Sequence, residues 1–212
     1  MTLLPRVSRR TVACTALAAA AGSHATAVAK TQFEPPQVAP DFQITRQQIH
    51  QSVMGWCFNP MPTSDLIGHC ISIGLTGIEG IDRKFYPEAR RRGLQISLVS
   101  SHGFATGPVD RGNHAECEAK LKSAIDAAVQ NECSRVITFT GMTVRGMSET
   151  TAETNCLELW KKVLPYAEER NITLCLEHLN SVDNSHPMKG HPGYFGDDVE
   201  RCFELVRRMD SP

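Results

Sequence analysis

The chain has 212 residues, 41% of them apolar and 21% charged, with a formal net charge of −1. That composition supports one ordinary globular domain with a real core, and without a dominant basic stretch nucleic acid is a poor candidate partner. No apolar run after residue 30 is long enough to cross a bilayer.

Residues 1–29 read as a targeting segment outside the fold. Arg6, Arg9 and Arg10 form a positive start, residues 11–22 form a weakly apolar run, and Ala25-Thr-Ala27 and Ala27-Val-Ala29 suit cleavage after small residues. Ser8-Arg9-Arg10 resembles the twin-arginine signal of bacteria. A basic, Ala-rich tail is the plain alternative, but the order of the three features favours a signal. The expected location is therefore periplasmic or otherwise exported, with cleavage near Ala27 or Ala29 and no stable membrane anchor. Residues 30–48, with Pro35, Pro36 and Pro40, read as an extended linker before a domain at 49–212.

From residue 49 the pattern alternates. Residues 52–58 form a short apolar run, a buried-strand candidate. Thr63 or Ser64 then caps a helix marked by Leu66, Ile67, Cys70, Ile71 and Leu75. Residues 77–81 form a second strand and 86–92 a short helix ending at Gly93. Residues 94–100 form a third strand, and 113–131 a helix with Leu121, Ile125 and Ala128 near one stripe. Residues 135–140 form a fourth strand, followed by an amphipathic helix over 149–169. Residues 172–177 form a fifth strand. A last helix spans 197–209, with Asp197 and Asp198 at its start and Arg207 and Arg208 at its end, as the helix dipole favours.

Five strands alternating with five helices imply a parallel sheet with helical crossovers. The first strand lacks the G-x-G-x-x-G turn of an open dinucleotide-binding sheet, and no phosphate-binding loop follows it. Each unit takes about 32 residues, so eight would come near the ~250 residues of a (β/α)8 barrel. The expected fold class is therefore α/β, an incomplete (β/α)8 TIM barrel of about five βα units behind a signal peptide. The seven cysteines left after signal removal are scattered and lack C-x-x-C spacing. Most of them read as buried fillers rather than as disulfides or a zinc site.

In such a barrel, chemistry sits at the C-terminal ends of the strands. Glu177 ends the fifth strand, where a carboxylate is costly unless it is paired, bound to a metal or used. A salt-bridged structural Glu is the competing reading. Glu79, within the second strand, reads as structural or supporting. His102, after the third strand, is placed either to contact substrate or to shape a turn. The long loop over 180–196 brings His186, Lys189 and His191, groups suited to a polar or anionic ligand.

Glu177-His-Leu-Asn180 followed by His191-Pro-Gly-Tyr-Phe195 resembles the xylose-isomerase-like barrels, most closely their hydroxypyruvate-isomerase branch. Asp110-Arg111-Gly112 is similar to the Glu-Arg-Gly segment of that branch, and the likeness covers about residues 48–212. It implies that Glu177 is both a ligand of a divalent cation (Mg, Mn, Co or Zn) and an acid/base. It also implies that His102, Arg111, Asn180, Lys189 and His191 surround a small sugar or hydroxy-keto acid. A second Glu on the last strand would share the proton transfer through an enediol. Family members continue past the position of Ser211-Pro212 into strands carrying the other metal ligands. The expectation is therefore a truncated chain that is marginally stable, holds no metal by itself and is catalytically silent. Two alternatives stand beside it: a non-catalytic exported sugar-binding protein, and a barrel of the kind that cuts DNA at abasic sites.

Overall fold

The structure, a computed structural model, describes residues 37–46, 48–183 and 190–211. The expected targeting segment at 1–29, and His186 and Lys189 in the long loop, lie outside the described residues. Residues from Pro40 onward form one compact unit, and the described residues before it, 37–39, have no regular structure.

Five βα units follow in order. They are strand β1 (Ser52–Met54) with helix α1 (Thr63–Ser72), β2 (Gly77–Glu79) with α2 (Tyr86–Arg91), β3 (Gln95–Ile96) with α3 (His114–Gln130), β4 (Arg135–Thr138) with α4 (Glu149–Glu168), and β5 (Thr173–Leu176) with α5 (Val199–Arg207). All strand pairs are parallel. β1 pairs β2 with Val53 opposite Ile78, β2 pairs β3 with Ile78 opposite Ile96, and β4 pairs β5 with Ile137 opposite Cys175. One parallel bridge, Val99 to Val136, joins the two groups, so the strands run in the order 1-2-3-4-5. This is the partial barrel expected from the alternation of elements.

All five strands are shorter than their apolar runs suggested, the first and the third most of all. The first turns into a 3-10 segment over Gly55–Phe58, which carries Trp56 off the sheet. The third loses its pairing after Ile96. Ser97 N–H still reaches Ile78 O at 3.2 Å, but Val99 has already turned to β4, with its N–H 3.0 Å from Arg135 O. A strand that bends to meet a new neighbour cannot keep continuous bonds to the old one. The expected linker is also partly built into the unit, since Ile44 N–H donates to Ile73 O at 2.8 Å.

The core lies between the sheet and the helices. Cys117, Leu121, Ala124, Ile125 and Ala128 of α3 are buried at helical spacing and meet Ala152, Cys156, Leu159, Trp160 and Val163 of α4. Full burial of one such Leu or Ile contributes roughly 1.5–3 kcal/mol. Ser148 caps α4, its hydroxyl accepting from Thr151 N–H at 3.1 Å, and Asp198 caps α5 by accepting from Arg201 N–H at 2.7 Å. No described helix is long and apolar enough to cross a membrane. All seven described cysteines are free thiols, and Cys70, Cys117, Cys133, Cys156 and Cys202 are buried. Burial pushes the Cys117 thiol up to about 11 and raises Cys156 further, so neither is a ready nucleophile.

Candidate active site

The C-terminal ends of the strands open on a cavity of about 500 Å³. Strand alternation decides which side chains reach it. Met54, Glu79, Ile137 and Glu177 face the opening, while Ile78, Val136 and Thr138 turn toward the helices. Trp56, Leu98, Phe104, Phe139 and Leu179 make most of the remaining wall apolar. A second cavity of about 440 Å³ lies outside β5, against α4 and α5. Among the described residues that line it, Glu168 is the one ionisable side chain, and it accepts from Ser211 Oγ at 2.6 Å.

Glu177 lies one residue beyond β5, its N–H donating to Thr138 O at 3.0 Å. Among the described residues no side chain hydrogen-bonds its carboxylate. Burial raises the Glu177 pKa above the ordinary carboxylate value, the negative charge of Glu79 adds to the rise, and His191 opposes it. The competing reading of a salt-bridged Glu177 therefore does not hold among these residues: its charge is desolvated instead of paired. Glu79 faces the same cavity and accepts from Ser97 Oγ at 3.0 Å. His191 reaches the cavity from the long loop. Its N–H donates to Asn180 O at 2.7 Å, and its ring leans on Phe104 with 4.3 Å between centroids.

The other expected site residues are placed elsewhere. His102 is buried beside the wall and outside the cavity lining. Its Nδ1 faces two carbonyls, Thr106 O at 2.7 Å and Gly103 O at 3.1 Å, so Nδ1 carries the hydrogen. Trp160 Nε1 donates to Thr138 Oγ1 at 3.0 Å, which leaves the Thr138 hydroxyl to donate to His102 Nε2 at 3.1 Å. Both ring nitrogens are thus committed to the protein, and of the two placements weighed for His102 the structure has the one that shapes the turn. Arg111 lies in a 3-10 turn over Arg111–Asn113 and pairs with Glu158 on the exposed outer side. The exposed Asn180 uses its side-chain oxygen to accept from Val182 N–H at 2.9 Å and organises the loop. Of the expected residues within the described part, the cavity brings together Glu177 and His191, joined by Glu79.

The divalent cation implied by the resemblance needs several donors converging on one point. Among the described residues no group of three or more His, Cys, Asp or Glu side chains is placed to hold one. The described residues therefore do not fit that group.

Sequence reasoning also missed groups that shape the mouth. Trp56, Phe104 and Phe139 read as strand or loop residues, although an aromatic at or just past a strand's C-terminal end is a signal for a barrel mouth. Tyr194 appeared only as part of a motif. It is buried, donates from its hydroxyl to Glu177 O at 2.8 Å and accepts from Thr140 N–H at 3.0 Å. Gly107 and Gly141 cross so closely beside it that a Cβ on Gly107 would stand 2.3 Å from Gly141 N.

Parallel strands and helical crossovers, with a carboxylate at the strand ends, define a partial β/α barrel. The family model described as xylose isomerase-like TIM barrel matches residues 71–212, and the chain belongs to that family. No curated protein matches it. Among solved structures it is similar to an AP endonuclease, family 2, from Brucella melitensis. That match has a TM-score of 0.63 and 20% identity, over 73% of this chain and 62% of the other. The IolI protein, solved with a bound zinc atom, matches with a TM-score of 0.55 and 14% identity, over 69% of this chain and 54% of the other. The 3-keto-D-glucoside 4-epimerase YcjR from E. coli matches with a TM-score of 0.54 and 13% identity, over 72% of this chain and 61% of the other. At these identities the likeness shows the fold alone. The chain spans less than two thirds of each of these structures.

Proposed function

We propose that the chain carries the proton-transfer carboxylate of an isomerase or epimerase acting on a small sugar or hydroxy-keto acid, with hydroxypyruvate-type substrates as the specific case. The observation that carries this reading is the unpaired, desolvated Glu177 carboxylate at the mouth of the cavity, beside His191 and Glu79. A base with a raised pKa is a stronger acceptor for a carbon-bound proton and is matched to work nearer neutral pH. Glu177 takes the proton from the carbon next to the substrate carbonyl. The C–H electron pair becomes the C=C bond of the enediol, and the carbonyl oxygen takes a proton from solvent. Return of the proton from Glu177 to the neighbouring carbon, with the hydroxyl proton there passing to solvent, completes an isomerisation. An epimer forms only when a second acid, not Glu177, delivers a proton to the same carbon from the other face. Residues 1–29 fit export of this activity by the twin-arginine route.

The test is hydrogen exchange in D2O. The full chain is incubated with hydroxypyruvate and with a panel of ketoses, and loss of the carbon-bound proton is followed by NMR. Exchange of the proton next to the carbonyl by wild type, lowered roughly 10²–10⁴-fold in E177Q, is the result this reading expects, and it would overturn the expectation of a catalytically silent chain. The rate should rise with pH through a midpoint above the ordinary glutamate value, because burial raises the pKa at which the base form of Glu177 appears. Equal exchange by wild type and E177Q would sink the assignment. Sugar binding without exchange favours the non-catalytic reading.

A further inference from the structure

We infer that Tyr194 is a positioning residue for Glu177: its hydroxyl is inserted between the ends of β4 and β5 in place of a ladder hydrogen bond, and so sets where the Glu177 carboxylate stands. This goes beyond the proposed function and rests on it only in taking Glu177 as the acid/base group.

The register carries the argument. Parallel strands exchange evenly spaced bonds in which alternate residues of one strand bond to both sides of a residue on the other. With Ile137 opposite Cys175 and Thr138 opposite Leu176, Glu177 N–H donates to Thr138 O at 3.0 Å. The next rung in that register is Thr140 N–H to Glu177 O. It is made through a third group. Thr140 N–H donates to the Tyr194 hydroxyl at 3.0 Å, and that hydroxyl donates to Glu177 O at 2.8 Å. Two bonds in series replace one, so the strand tips stand apart at the residue that carries the reactive carboxylate.

The phenol is held for this task from several sides. Tyr194 is 1% exposed and forms an antiparallel bridge with Met142. Thr143 N–H donates to Gly193 O at 2.7 Å, and Phe195 N–H to Gly141 O at 3.0 Å, so the backbone on both sides of Tyr194 is tied to the segment after β4. The ring rests against Gly196, where a Cβ would stand 2.8 Å from Tyr194 Cε1 and 3.0 Å from Thr140 Oγ1. Burial holds the Tyr194 phenol up at about 12. It is therefore a neutral hydroxyl over any working pH, able to donate and accept at once, as the rung requires. Tyr194 does not line the cavity, so its effect on chemistry passes through Glu177. Phenylalanine would keep the ring and lose the rung, leaving Thr140 N–H and Glu177 O to fray toward water.

The experiment is a carboxyl-carbon NMR titration of the full chain labelled with 13C-glutamate, with the Glu177 signal assigned from its loss in E177Q. In Y194F, with the fold checked by circular dichroism, the Glu177 midpoint is expected to fall toward the ordinary glutamate value. A Y194F midpoint that stays where it is in wild type, or rises, overturns the inference. If Y194F does not fold, fluorine NMR of wild type carrying 3-fluorotyrosine at its three tyrosines decides the matter. A Tyr194 signal that follows the Glu177 titration and stops doing so in E177Q supports the rung, and one that ignores Glu177 overturns it. Neither readout uses turnover, so failure of the proposed function, seen as absent proton exchange, is distinguishable from failure of this inference.

Discussion

Helices α4 and α5 are both amphipathic, both capped by a side chain and both placed after a parallel strand, yet their apolar faces are treated differently. In α4 the stripe of Ala152, Cys156, Leu159, Trp160, Val163 and Ala167 is buried against α3 and the sheet. In α5 only Cys202 and Leu205 are buried. Val199, Phe203 and Val206 continue the apolar face, with Phe203 73% and Val206 54% exposed. Periodicity specifies a face that is better covered than wet, but the cover has to come from another element. The α4 side has that element, and its polar groups are ordered as well: Trp160, Thr138 and His102 form one directional chain of hydrogen bonds.

The largest expected effect breaks the α4 side. W160A removes a buried indole and its bond to Thr138, and should cost about 3–5 kcal/mol in chemical denaturation. A cost below about 1 kcal/mol would show that this wall is not the stable half of the molecule.

Acid should weaken the same wall next. Burial lowers the His102 pKa below its ordinary value, because the charged ring is desolvated. With the folded pKa below the unfolded one, this stabilisation is full above the unfolded value near ~6.5 and is lost as pH falls from there through the folded pKa. The denaturation midpoint of wild type should fall over that window, ahead of the carboxylates. H102N should be less stable at pH 7 and flatter in pH. An equally steep acid loss in H102N would remove His102 from the account.

The caps sharpen the comparison further. S148A and D198A each remove one cap bond, worth about 1 kcal/mol. S148A should lower global stability, since α4 unfolds with the core. D198A should appear chiefly as faster amide exchange confined to α5, since a half-covered helix opens locally. The smallest effect is F203S, which should leave stability within about 0.5 kcal/mol while reducing self-association in light scattering, because it breaks the exposed stripe.

Much of this was legible from residue order. Strand and helix alternation, the absence of a dinucleotide-binding turn and the size of each unit were enough for a β/α barrel, because parallel strands need helical crossovers of about that length. Glu177 was legible because an ionisable residue ending an apolar strand is rare and costly. His102 and Arg111 were harder. Position after a strand puts a residue near the mouth, but hydrogen-bond partners decide whether it faces in. Thr138 and Thr106 claim the His102 ring, and Glu158, 47 residues away on α4, claims the Arg111 guanidinium.

The sequence by itself thus determined the order of elements, through local periodicity, and its motifs carried the family resemblance. The cost of placing a charge beside apolar neighbours marked Glu177 as a candidate. Only the tertiary structure decided that Glu79 and His191 join Glu177 in one cavity, that aromatic side chains wall it, and that a tyrosine hydroxyl stands in the ladder between β4 and β5. Those facts depend on contacts between residues far apart in the chain, where a difference of an ångström separates a hydrogen bond from none.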